Sequence, residues 1–137
     1  MPETLLGFDY GTRRIGVAVG QTLTGTARPL TTLPCRNGKP DWETIGRLIR
    51  EWQPSRLVVG LPLHMDGTEQ PMTDQARRFG RQLEGRYNLP VEWMDERLSS
   101  EEAERTLGSA RDKAAVDAVA AAVILRDWLA TRGGNWA

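Results

Sequence analysis

Residues 5–20 constrain the fold more than any other segment, because they hold two apolar runs joined by a glycine-containing turn. The first run, Leu5–Asp9, carries one acid, and the second is Ile15–Gly20. Short apolar runs of this kind predict buried β-strands. A charge in a core strand costs free energy unless something binds it. A metal ion or a phosphate-bearing substrate would offset the cost at Asp9.

The composition is that of a globular domain. The 137 residues are 39% hydrophobic and 26% charged, with a formal net charge of zero. The neutral balance excludes a strongly basic nucleic-acid coat but allows a local basic patch. No apolar run approaches the roughly 20 residues that span a membrane, and nothing at the N-terminus resembles a secretory signal. The single cysteine, Cys35, has no partner for an internal disulfide and fits a reduced cytoplasm.

Strand and helix signals alternate along the rest of the chain, which predicts an α/β fold. We expect a mixed five-stranded sheet, with three antiparallel strands followed by parallel strands, flanked by helices. The domain is expected over residues 1–132, with a flexible tail at 133–137. Beyond the first two strands, the predicted elements are strands at 28–33, 56–61 and 90–94, and helices at 41–52, 73–86, 99–108 and 112–130.

Acids stand at three places where the local pattern favours apolar side chains. Asp9 lies in the first strand, Asp95 and Glu96 end the fifth, and Asp117 lies in the final helix. At helical spacing Asp117 shares the apolar face of its helix. Two divalent ions about 4 Å apart can cleave a phosphodiester, and such ions prefer carboxylate oxygens. Three acids gathered at one end of a sheet would meet that need.

Each of these acids also has a purely structural interpretation. The alternatives are a turn cap for Asp9, an ion pair with Arg97 or a neighbouring arginine for Asp95 or Glu96, and an ion pair with Arg13 or Lys113 for Asp117.

Five segments, in order along nearly the whole chain, resemble the motifs of the YqgF family, also called RuvX. That family has an RNase H-like fold and is described as a Holliday junction resolvase and as a nuclease that matures the 5′ end of 16S ribosomal RNA. The segments are FDYGTRRIG at 8–16, VGLPL at 59–63, MDGT at 65–68, DERLS at 95–99 and VDAVAA at 116–121.

The resemblance implies a catalytic metal site of Asp9, one acid of the Asp95–Glu96 pair, and Asp117, holding Mg²⁺ or Mn²⁺. We favour Glu96 over Asp95, although strand alternation alone leaves the choice open, since only one of two adjacent strand residues can face the site. His64 departs from the family pattern, which commonly has asparagine there. Its role is open, and a surface position is the simpler interpretation.

Basic residues supply candidate phosphate contacts. Arg13 and Arg14 directly follow the Asp9 turn, and arginine can bind phosphate with two hydrogen bonds. Alternatively, one of them neutralises the acids. Arg77, Arg78 and Arg81 lie on one predicted helix, with Arg77 and Arg81 four apart on one face, and together with Arg86 they define a second candidate surface. A solvated helix face is the alternative there.

The sequence therefore predicts a cytoplasmic, metal-dependent nuclease. In the first interpretation it cleaves structured RNA, within a pre-ribosomal particle. In the second interpretation it cleaves four-way DNA junctions, which would favour a homodimer over a monomer because two symmetric cuts need two sites. A non-catalytic ribosome-associated module is a third. The Asp-Tyr-Gly-Thr segment at residues 9–12 also resembles the phosphate-binding turn of actin-like and sugar-kinase ATPases, but those enclose a nucleotide between two such domains.

Overall fold

The computed structural model describes residues 2–96 and 113–131. The elements are, in chain order, β1 (Thr4–Tyr10), β2 (Arg14–Gln21), β3 (Thr26–Arg36), β4 (Lys39–Pro40), α1 (Trp42–Trp52), β5 (Arg56–Pro62), α2 (Pro71–Tyr87), β6 (Val91–Glu96) and α3 (Lys113–Thr131).

The strands form one mixed sheet in the order β4-β3-β2-β1-β5-β6. The pairs β1–β2, β2–β3 and β3–β4 are antiparallel, whereas β5 lies parallel to both β1 and β6. The predicted mixed α/β architecture is confirmed, with one strand more than expected. The extra strand, β4, is two residues long. It forms because Asn37 and Gly38 both have positive φ angles, of 53° and 73°, as a tight hairpin turn requires.

The side chains of the sheet alternate between two cores. Leu6 and Phe8 of β1 face α1 and α2, whereas Leu5 of the same strand faces α3. Helix α1 begins where the sequence predicted, because the Asp41 side chain accepts a hydrogen bond from the Thr44 backbone N–H at 3.1 Å. Among the described elements, α1 and α2 therefore cover one face of the sheet and α3 covers the other.

Helix α3 approaches the sheet closely because glycines line the surface beneath it. A Cβ atom added at Gly16 would overlap the backbone carbonyl oxygen of Asp117, and one at Gly20 would lie 2.8 Å from the Leu125 side chain. Real Cβ atoms do not tolerate such approaches, so any larger residue would lift the helix. The N-terminal part of α3 is thereby held against β2, beside the end of β1.

Several element boundaries differ from the sequence prediction. Strand β6 extends to Glu96, two residues further than expected. Helix α2 begins two residues early, because Pro71 occupies its first turn and Gln70 and Thr73 cap each other. Trp93 is 38% exposed, since it faces the α2 side of the edge strand β6.

Two predictions fall on residues that are not described: the helix at 99–108 and the tail at 133–137 lie outside the described ranges. The extent of the domain therefore stays a prediction. Within residues 2–96 and 113–131, no helix combines the length and apolarity that a membrane span needs.

The Gly16→Ala substitution should destabilise the protein by about 3 kcal/mol, because its methyl group has no space against the α3 backbone. Urea unfolding followed by circular dichroism would measure the change. The matched control is Gly85→Ala in α2, where an added Cβ meets no atom within 4 Å. That control should gain about 0.5–1 kcal/mol from helix propensity. Equal stability of the Gly16→Ala variant and the wild type would show that α3 is not seated as described.

Candidate active site

Asp9 lies near the C-terminal end of β1 and points toward α3. Its partner across the β1–β2 ladder is Gly16, the residue on which α3 rests. Successive strand side chains point to opposite faces, so Tyr10 turns to the other side and packs on Phe79 of α2. The short glycine-containing turn and the two-strand register therefore place Asp9 beneath the start of α3.

Glu96 reaches Asp9 from two strands away. It ends β6, opposite Pro62 of β5, and it is 9% exposed. A Cβ atom at Gly60 would lie 2.6 Å from the Glu96 Oε2, so the absence of a side chain at Gly60 lets the carboxylate lie over β5. The carboxyl group of Glu96 forms a hydrogen bond with that of Asp9.

Asp95 has the opposite orientation. Met94 of β6 packs in the core under α3, and Trp93 packs against Gly80 of α2. Alternation along the strand then places Glu96 on the α3 face with Asp9, and Asp95 on the α2 face, where it is exposed. The structure brings Glu96, and not Asp95, to the other acids.

Asp117 completes the cluster from α3. Its helix face is apolar as predicted, since Ala121, Ile124 and Trp128 are all buried, while Asp117 itself is half-buried. Its Oδ2 accepts a hydrogen bond from the Arg14 Nε at 2.6 Å, and the two side chains are 23% and 37% exposed. One of the two arginines thus neutralises an acid, as the alternative interpretation held, and it is Arg14 at the start of β2.

A negative charge on Asp9 is unfavourable, because its carboxyl group is desolvated by burial and two other acids lie nearby. Burial raises the pKa of the Asp9 carboxyl well above its usual value. The charge and hydrogen bond of Glu96, and then the charge of Asp117, raise this pKa further. A hydrogen bond between two carboxyl groups requires one of them to hold a proton. The site therefore has a position where a proton, or a cation in its place, is needed.

Carboxylate oxygens are the type of ligand that a divalent cation such as magnesium prefers. Among the described residues, no three His, Cys, Asp or Glu side chains are grouped as a bound metal ion would require. Asp117 is turned to Arg14, which leaves Asp9 and Glu96 as the pair in direct contact. Magnesium usually takes only one or two protein carboxylates and completes its coordination with water and substrate phosphate. Two joined carboxyl groups with a third acid nearby fit that requirement.

The other predicted site residues are dispersed. Arg13 is exposed in the β1–β2 turn, and within the described part of the chain its guanidinium has no ion-pair partner. Arg77 forms a two-point ion pair with Glu69, at 3.0 and 3.2 Å. Arg81 is exposed and lines a cavity of about 390 Å³ with Arg77 and Trp93.

The loop between β5 and α2 is a tight connector. Thr68 donates its backbone N–H to the Asp66 carboxylate at 2.9 Å, and its hydroxyl donates to the same oxygen at 2.6 Å. Gly67 has a φ of 88°, and residues Leu63 and Glu69 form an isolated β-bridge across the loop. His64 is exposed, in agreement with the surface interpretation.

Sequence reasoning did not find the two glycines that allow the acids to meet, nor the Arg14–Asp117 pair. A signal for the pair was present. Arg14, Gly16 and Ala18 alternate with the apolar residues that face α1 and α2, which puts Arg14 on the same face as Asp9.

Comparison with known proteins gives a consistent family assignment. The family model described as "RuvX: Holliday junction resolvase" matches residues 3–131. A relative from Azotobacter vinelandii is 54% identical over 136 residues, covering 96% of both chains, and one from Yersinia pestis (strain Pestoides F) is 50% identical over 137 residues, covering 96% of this chain and 98% of its own. Both are named "Putative pre-16S rRNA nuclease".

Solved structures share the fold at low sequence identity. Thermus thermophilus RuvC in complex with a Holliday junction substrate superposes with a TM-score of 0.54 at 18% identity, covering 96% of each chain. The fowlpox virus Holliday junction resolvase gives 0.56 at 10% identity, covering 93% of this chain and 98% of its own. The predicted RNase H-like fold is thereby confirmed.

In metal-free buffer, the Asp9→Asn variant should be more stable than the wild type at neutral pH. A carboxyl whose pKa is raised by folding contributes stability below its unfolded pKa and loses that contribution as the pH rises through the folded value. The asparagine does not titrate. Thermal unfolding from pH 4 to pH 8 with chelator present should therefore show a difference in Tm between variant and wild type that grows with pH. A constant difference would mean that the Asp9 pKa is not raised in the folded state.

Proposed function

The chain belongs to the RuvX family, and on that basis we propose that it is a metal-dependent nuclease that trims the 5′ end of precursor 16S ribosomal RNA. The observation that carries the enzymatic part is the meeting of Asp9, Glu96 and Asp117 at the end of β1. A protein that only bound RNA would gain nothing from a buried cluster of acids, which repels phosphate and costs stability.

We propose Asp9 and Glu96 as the residues that hold Mg²⁺ or Mn²⁺, with Asp117 as a third ligand. A cation bound there would supply positive charge at the scissile phosphate and an activated water. Asp9 and Glu96 are joined by a hydrogen bond, so a cation would displace the shared proton. This exchange makes metal affinity rise with pH over the range in which Asp9 titrates.

The arginines at the β1–β2 turn would serve different purposes. Arg14 holds the Asp117 carboxylate by its Nε and fixes the orientation of that side chain. Its partial exposure leaves the pair accessible to a substrate phosphate, which could replace the carboxylate. Arg13 lies in the turn four residues beyond Asp9, and we assign it to a phosphate of the bound strand. Arg77 and Arg81 remain weaker candidates, because Arg77 already pairs with Glu69.

The choice of RNA rests on the names of the relatives at 50–54% identity. Resolution of four-way DNA junctions is the second candidate function, favoured by the description of the matching family model. Both reactions cleave a phosphodiester and would use the same acids. They differ in assembly, since symmetric cleavage of a junction needs a homodimer whereas end trimming needs one site. We also propose a cytoplasmic location and contact with the pre-ribosomal particle, where the RNA substrate is found.

Substitution of the clustered acids should abolish cleavage. We expect Asp9→Asn, Glu96→Gln and Asp117→Asn each to lower the rate by about 10²-fold or more, since each removes charge that holds the cation. Asp95→Asn is the matched control, because it makes the same chemical change on the neighbouring residue that faces α2. It should keep a rate within about threefold of the wild type.

The assay compares a precursor 16S fragment with a synthetic four-way junction, each with and without magnesium, and records the oligomeric state by sedimentation. Cleavage of the RNA alone by a monomer supports the first function, and paired cuts in the junction by a dimer support the second. Wild-type activity in the Glu96→Gln variant together with loss in Asp95→Asn would reverse the assignment on β6.

Divalent cations should also stabilise the protein without any substrate. A cation that binds only the folded state raises the Tm by mass action. Millimolar Mg²⁺ or Mn²⁺ should therefore raise the Tm by roughly a few degrees for a chain of this size. The increase should disappear in Asp9→Asn and persist in Asp95→Asn. Differential scanning fluorimetry measures both. Equal increases in the two variants would locate the cation elsewhere on the protein.

A further inference from the structure

A groove on the opposite face of the sheet from the acids has an unusual charge composition. It has a volume of about 750 Å³ and lies between α2 and the β3–β4 hairpin, with the β1–β2 turn at one end. Lys39, Arg78 and Arg86 line it, and among the described residues no carboxylate does. In a chain whose acids and bases are equal in number, this concentrates positive charge in one concave surface.

The cations of the groove are available for a ligand. Lys39, Arg78 and Arg86 are exposed, and within the described part of the chain none of them forms an ion pair. The Arg86 guanidinium lies 4.2 Å from the centre of the Trp42 ring, a cation–π contact that leaves its positive charge in place. The charge of Arg78 acts on the Tyr10 hydroxyl and partly opposes the burial that raises the Tyr10 pKa.

The neighbouring face of the same helix contrasts with the groove. Arg77 immediately precedes Arg78 in the sequence, but its guanidinium forms two hydrogen bonds with the Glu69 carboxylate and lies 3.4 Å from the Asp74 carboxylate. Consecutive helical residues point about 100° apart, so the two arginines serve different surfaces. Arg78 therefore offers to the groove a positive charge that is not compensated by a carboxylate among the described residues, as the charge of Arg77 is.

The groove is close to the clustered acids along the chain. Tyr10 and Thr12, which line it, lie one and three residues after Asp9. Asp9 points to the α3 face while Tyr10 points to the groove, so the β1–β2 turn separates the two surfaces by a few residues. A chain of phosphates that passes over this turn would contact the acids on one side and the three cations on the other.

We propose that this groove binds the phosphate backbone of the substrate strand adjacent to the scissile bond, through Lys39, Arg78 and Arg86. The inference rests on the proposed nuclease function and adds the path that the nucleic acid follows. Recognition is by charge and not by base. Trp42 is already packed between Phe79 and Arg86, with a ring-centre distance of 5.7 Å to Phe79, so its ring is not open to stack a base.

Binding measurements in an inactive background test the path. The parent protein is Asp9→Asn, and the probes are a fluorescent precursor 16S fragment and a fluorescent four-way DNA junction, titrated by anisotropy at several salt concentrations. Adding Arg78→Ala should weaken binding of the RNA at low salt and make the slope of log K against log salt shallower by about 0.7. The Lys39→Ala, Arg78→Ala double variant should change the slope by about twice as much. Arg78→Lys should keep the parent slope.

Arg126→Ala is the control for net charge, since Arg126 is an exposed arginine of α3 on the other face of the sheet. Its slope should equal that of the parent. The Arg77→Ala, Arg81→Ala double variant measures the contribution of the neighbouring face of α2 to the same salt slope. If the Lys39→Ala, Arg78→Ala variant keeps the salt slope of the parent, the proposed binding groove is refuted. An equal reduction of the slope in Arg126→Ala also refutes it.

Wild-type cleavage assayed on the same probes separates this inference from the proposed function. Cleavage by the wild type with an unchanged slope in the groove variants refutes the groove alone. Absence of wild-type cleavage on both probes refutes the nuclease, while the slopes still decide whether the groove binds nucleic acid. Loss of slope with the junction but not with the RNA assigns the groove to the DNA substrate.

Discussion

Two glycines of the sheet, Gly16 and Gly60, determine how closely the acids of the site approach one another. Gly16 allows the backbone at Asp117 to touch β2, and Gly60 allows the Glu96 side chain to cross β5. Without these two glycines the carboxyl groups would be separated by the width of ordinary side chains. Close packing of a helix on a sheet normally maximises dispersion contacts. Here it also brings together three groups of like charge that would otherwise stay apart.

The packing around the site therefore stabilises the fold against the repulsion between the acids. Hydrophobic burial on both faces of the sheet contributes, with Leu5 of β1 and Ala121 and Leu125 of α3 fully buried between helix and sheet. The Arg14–Asp117 ion pair removes part of the repulsion, and the proton between Asp9 and Glu96 removes another part. Both compensations are weak, because the ion pair is partly exposed and the proton is lost at high pH. In the proposed nuclease, a cation would replace the proton and a substrate phosphate would replace the carboxylate partner of Arg14.

Much of this arrangement follows from patterns that the sequence displays. The strand pair at residues 5–20, the helix predicted at 41–52 and the apolar face of α3 are local features, and they were predicted at nearly their observed positions. The choice between Asp95 and Glu96 required the register of β6 against β5, which depends on long-range pairing. The roles of Gly16 and Gly60 were hidden for the same reason, since a glycine in a strand shows what it makes room for only when the opposing helix is in place. The hairpin strand β4 was missed although Asn37–Gly38 is a strong turn signal, because two residues are too few to show alternation.

Charge segregation explains how a chain of zero net charge can serve a polyanionic substrate. Asp9, Glu96 and Asp117 meet on the α3 face of the sheet at the end of β1, and Lys39, Arg78 and Arg86 line the groove on the opposite face. The Debye length at physiological ionic strength is about 8 Å, so a bound strand responds to the charges it touches and hardly at all to the sum over the protein. The β1–β2 turn is short enough that both surfaces lie within a few nucleotides of one another. Net charge is therefore a poor guide here, and the position of each charged residue relative to the two faces of the sheet determines what the protein can bind and cut.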